Sequence, residues 1–166
     1  EKMKPFFLEA MVYPKLLACN RMSGVEEELL SIAKKEKKEI KGFETIMFQA
    51  SVFDSIPYKD QAKELLEMVD SINDYSVYFQ KMVNAYKQQD LAGIENAFSD
   101  PHYNMDEKNE EIMLGSRNRN WVQQLKKILP ADNIFMAVGA GHLIGKNGLI
   151  ALLRKEGYTV KPIVNR

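Results

Sequence analysis

The residues best able to do chemistry in this sequence gather at Val138-Gly139-Ala140-Gly141-His142-Leu143. An imidazole changes charge near neutral pH, so His142 can act as a general base, and in its neutral form it is a common metal ligand. Gly139 and Gly141 permit positive φ and let a ligand or a second backbone approach closely. The uninterrupted apolar run before them, Ile134-Phe135-Met136-Ala137-Val138, reads as a strand covered on both faces. His142 then lies just beyond a strand's carboxyl end, where open α/β sheets place their sites. A tight strand-to-helix turn, with a histidine that only hydrogen-bonds backbone, fits the pattern equally well.

Three further residues can join this chemistry. Asn118 is in helical register with Leu114, Trp121, Leu125 and Ile128, so its amide faces the interior and needs partners. Arg117 stands beside it, one turn before Trp121, and its rigid fork of donors suits a carboxylate or an oxyanion. A purely structural clamp explains both residues as well. Glu44 follows a short alternating stretch at 39–43 much as His142 follows its own run, and a carboxylate there can ligate metal or act as a base. Its alternative role is that of an acid at a helix start, which the helix dipole favours. His102, in a polar loop beside Pro101, reads as a surface residue, and Cys19 as a small buried hydrophobe.

The elements that position these residues are mostly helical. A first helix begins at Pro5 and is interrupted at Pro14, and a second carries Val25, Leu29, Ile32 and Ala33 up to the lysine-rich stretch 34–38. Glu44-Thr45 leads into a helix ending near Ile56-Pro57. Leu65, Leu66, Val69 and Ile72 mark the next helical face. Tyr75, Tyr78, Phe79, Met82, Val83 and Tyr86 mark another, a core stripe rather than a cofactor box. Asp90 is placed to cap a short helix with Ile94, Ala97 and Phe98. After the long helix through Asn118 comes the 134–138 strand, a helix with Leu149, Ile150, Leu152 and Leu153 stopped by Gly157, and a last strand at 158–164. These spacings predict a helix-rich α/β fold in which several helices surround a small sheet, closed by a right-handed strand-helix-strand crossover.

Composition narrows the function classes. At 166 residues the chain is expected to form a single domain around one core, and 23 basic against 23 acidic residues argue against a nucleic-acid partner. One cysteine excludes an internal disulfide. No apolar run reaches the ~20 residues that span a bilayer, so no transmembrane segment is expected.

The last fifty residues resemble the TraB/GumN family, to which the Tiki metalloproteases are related. The match runs through Arg117-Asn118-x-x-Trp121, Phe135 to Leu143, Gly145, Gly148-Leu149, Leu152-Leu153-Arg154 and Gly157-Tyr158-Thr159-Val160. Upstream, Phe43-Glu44-Thr45 with Gln49, Ile56-Pro57 with Gln61, and Gly24-Val25-Glu26 look like the family's middle section, with Glu26 where an aspartate is usual. Of the family's two Gly-x-x-His motifs only Gly139-x-x-His142 is present, so the chain looks like the C-terminal portion of a longer domain. The resemblance implies a metal-dependent, peptidase-like hydrolase acting on a peptide or protein. Its ion would be manganese, cobalt or zinc, with His142 as a ligand, Glu44 as second ligand or base, and Arg117 assisting electrostatically. It also implies an exported bacterial protein. The alternative within the same resemblance is a non-catalytic peptide-binding or regulatory protein, since some members are associated with peptide-pheromone shutdown.

Overall fold

Thr45 and Asp90 begin helices because each side chain accepts a hydrogen bond from a backbone N–H that the first turn leaves unpaired. Thr45 Oγ1 accepts from Phe48 N at 3.1 Å and starts α4 (Ile46–Asp54). Asp90 Oδ1 accepts from Gly93 N at 3.0 Å and starts α7 (Leu91–Phe98). Asp106 does the same for Asn109 N at 2.8 Å at the head of α8 (Glu107–Glu110). The computed structural model describes residues 3–17, 23–100 and 105–163. Cys19 and His102 lie outside the described residues. The chain divides into two units, Glu1–Asp70 and Ser71–Arg166.

In the first unit, α1 (Pro5–Ala10) and α2 (Tyr13–Leu16) are separate helices, and Pro14 sits in the opening turn of the second. The chain continues through α3 (Val25–Lys35) and α4 to α5 (Tyr58–Asp70), and α1 packs against α5. Phe6 stacks on Phe53 with ring centroids 4.4 Å apart. The buried positions of α5 are Gln61 and Met68, whereas Leu66 and Val69 are exposed. The apolar face expected at Leu65, Leu66 and Val69 is thus rotated, because Gln61 takes a core position. Its Nε2 donates to Phe53 O at 2.9 Å and Ile56 O at 2.8 Å, and its Oε1 accepts from Phe6 N at 3.4 Å.

In the second unit, α6 (Ile72–Lys87) packs on α7, burying Phe79 and Ile94. A π-helical turn at Glu111–Gly115 joins α8 to α9 (Ser116–Ile128), with helical backbone angles throughout. At about 100° per residue, Asn109 and Asn118 would face about 180° apart on an unbroken α-helix; the residue absorbed by the π turn brings them to about 80°. Both are buried. α9 packs against α10 (Leu149–Lys155), where Trp121, Val122, Leu125 and Leu149 are buried. Each such side chain contributes roughly 1.5–3 kcal/mol by leaving water. Gly157, at φ 90°, ends α10: Gly157 N donates to Arg154 O and Tyr158 N to Leu153 O, the paired bonds of a Schellman cap.

The expected sheet is not formed, so the α/β reading is corrected to a helical one. Among the described residues no strand occurs at 39–43, 134–138 or 158–163, and with no parallel pair there is no crossover. The cause is visible at 134–138. Inward and outward positions do alternate there, with Met136 and Val138 half-buried and Phe135 81% exposed. Yet no backbone group of 133–138 is in a backbone hydrogen bond among the described residues. An apolar run supplies a strand's side chains, but a strand also needs a neighbour for its N–H and C=O groups.

Candidate functional site

His142 lies at the end of a single 3-10 turn, Ala140–His142, which Gly139 opens in extended backbone. The turn closes through His142 N to Gly139 O at 2.9 Å. The imidazole is 9% exposed and meets Asn118, itself 1% exposed, across 2.7 Å from Nδ1 to Oδ1. The amide's orientation is set from its other end. Asn118 Nδ2 donates to Asn147 O at 2.8 Å, which only the nitrogen can do, so the oxygen must face the histidine. Nδ1 is then the donor, and in the neutral imidazole the lone pair sits on Nε2. One buried amide thereby selects the tautomer with a basic Nε2.

Aromatic and cationic groups complete the surroundings. The Trp121 ring lies 4.4 Å from the imidazole, centroid to centroid, at 40°. The Arg117 guanidinium sits 5.2 Å from the Trp121 centroid and donates to Met113 O at 2.9 Å. The structure therefore brings His142, Asn118, Trp121 and Arg117 together, with Arg117 acting on the indole. Of the two uses that these glycines permit, positive φ is not the one taken. Gly139 has φ −60°, and the positive values fall at Gly145 and Gly157 instead. Gly141 serves close approach: a Cβ there would lie 3.1 Å from Phe98 Cζ.

Two positions to which the sequence reading gave no role at the site hold this arrangement. Asn147 supplies the carbonyl that orients Asn118, and Gly148 makes the turn presenting it, since a Cβ at Gly148 would stand 2.0 Å from Ile144 O. The Asn-Gly pair is a turn signal that could have drawn attention to both. Sequence reasoning also missed the cleft lined by Asn118 and Gly141 together with Phe98, Leu114, Ile144, Glu95 and Glu110. Its walls are too far apart in sequence for spacing to reveal.

Glu44 belongs to the first unit, half-buried and one residue before the Thr45 cap of α4. A catalytic zinc-type centre draws three protein ligands. Among the described residues no three His, Cys, Asp or Glu side chains come together. The described donors do not make up a divalent-metal site, and no chemical step is assigned to one.

The second unit thus defines a helical protein that carries a tautomer-fixed histidine on a Gly-x-x-His turn. Over residues 1–162 the chain matches the TraB/PrgY/gumN family, and it belongs to that family. No curated protein matches it, nor does any solved structure. No helix among the described residues is long and apolar enough to cross a membrane.

Proposed function

We propose that the chain is a peptidase-like hydrolase in which Nε2 of His142 is the working nitrogen. The observation that carries this reading is the hydrogen-bond chain Asn147 O, Asn118 amide, His142 Nδ1, which fixes the proton on Nδ1 and puts the basic lone pair, the one that abstracts a proton or ligates, on Nε2. As a base, Nε2 takes a proton from the attacking water and returns it to the leaving amine, so the imidazole ends each cycle neutral. Family membership adds a different use of the same nitrogen: in place of acting as the base, Nε2 of His142 would be one ligand to a manganese, cobalt or zinc ion. Arg117 stands over the Trp121 ring that flanks the imidazole and would assist electrostatically.

The test is hydrolysis of a mixed peptide library by the wild type and His142→Ala, with each of the three ions supplied and with a chelator. Loss of roughly 10²–10⁴-fold in rate is expected for the variant. Equal rates in both proteins would overturn the reading. A second reading, peptide binding without turnover, is favoured by the cleft beside Asn118, and binding by a chain that cleaves nothing under all four conditions would establish it.

A further inference from the structure

The cleft next to the histidine turn has a chemistry of its own. Phe98 of α7, Leu114 of the π turn and Ile144 supply apolar lining, and its volume is about 100 Å³. An apolar cavity of about 150 Å³ holds a benzene molecule, so this space suits a chain of about four methylene groups. Glu95 and Glu110 line the same cleft and are solvent-exposed, and Glu95 Oε1 lies about 4.0 Å from where a Cβ on Gly145 would stand. Among the described residues no salt bridge joins either carboxylate to a cation. A small cleft lined by apolar side chains and by two carboxylates matches a side chain with an aliphatic stem and a cationic tip.

We propose that this cleft is a side-chain pocket for a lysine of a bound peptide, with the stem on Phe98, Leu114 and Ile144 and the ammonium between Glu95 and Glu110. The cleft shares Asn118 and Gly141 with the surroundings of His142, so a peptide anchored there runs past the histidine turn. The proposal rests on the reading of the chain as a peptide-directed protein. It does not require that the peptide be cleaved.

The experiment is an NMR titration of the chain, without added metal, with three capped pentapeptides that differ only at the central residue: lysine, norleucine or Nε-acetyl-lysine. The lysine peptide is expected to bind about five- to twenty-fold more tightly than either other peptide and to shift the amides of Glu95, Phe98, Leu114 and Ile144. Glu95→Gln and Glu110→Gln should each reduce that preference about two- to five-fold. Glu95→Lys with Glu110→Lys, both at exposed positions where the fold tolerates them, should abolish it and favour a glutamate peptide. Equal binding of lysine and norleucine peptides, or an unchanged preference in the charge-reversed protein, overturns the proposal. Because binding is read without turnover, its failure is distinct from that of the hydrolase reading: a chain that binds lysine and cleaves nothing keeps the pocket, and one that cleaves without regard to lysine loses it.

Discussion

Two buried amides, one in each unit, show how the same functional group becomes either scaffold or machinery. Gln61 is 2% exposed and Asn118 is 1% exposed, and both are hydrogen-bonded at nitrogen and oxygen. Gln61 bonds only to backbone, tying α1 and the end of α4 to α5. Asn118 bonds to backbone on one side and to an imidazole on the other, so the rigidity of its helix passes to a titratable ring. What separates the two is the chemistry of the second partner, since burial and satisfaction are alike.

Several substitutions can break this comparison. The largest effect is expected from Asn118→Ala, which leaves Asn147 O and His142 Nδ1 without their partner; at ~1–3 kcal/mol for each buried group, about 3 kcal/mol should be lost. Chemical denaturation measures the loss, and histidine 15N shifts should show the Nδ1–H tautomer giving way to a mixture. Gly148→Ala comes next, because the added Cβ meets the backbone of Ile144 rather than a yielding side chain. It should cost about 2–3 kcal/mol and disturb the same tautomer by displacing Asn147 O. Gln61→Ala should cost about 2 kcal/mol in urea and leave the His142 spectrum unchanged. A shifted imidazole in that variant would erase the distinction between the two amides.

The smallest effect belongs to the surface. Arg119 bonds Glu111 across the π turn and holds its carboxyl below the ordinary 4.5. A lowered folded pKa means that the pair's contribution is present above the unfolded carboxyl pKa and is lost as pH falls through the lower, folded one. Glu111→Gln should therefore remove a small stability difference at neutral pH, and thermal melts of the two proteins should converge as the solution becomes strongly acidic. A difference that persists in strong acid would mean that the pair acts through packing.

Much of this was legible in the residues. Asp90 and Thr45 cap helices as their types suggest, Gly157 ends one, and the stripe from Leu114 to Leu125 is the buried face that bears Asn118. Such features are local, set within a turn or two. The sheet was misread because 134–138 has the apolar content of a strand, while pairing depends on a second segment that periodicity does not name. Of the two uses the glycines permit, Gly141 serves close approach, while the positive φ values of glycines fall at Gly145 and Gly157. The partnership of Asn118 with His142 spans 24 positions, and only the meeting of α9 with the 3-10 turn reveals it.

The uncovered stretch from Ile134 to Gly139 also bears on how the chain behaves in concentrated solution. It has no charge and no proline and presents Phe135 outward, and among the described residues the peptide groups of 134–138 make no backbone hydrogen bond. Such a segment can stack with identical segments from neighbouring molecules into cross-β ribbons. Keeping those residues apart from their copies would then help the protein stay dispersed.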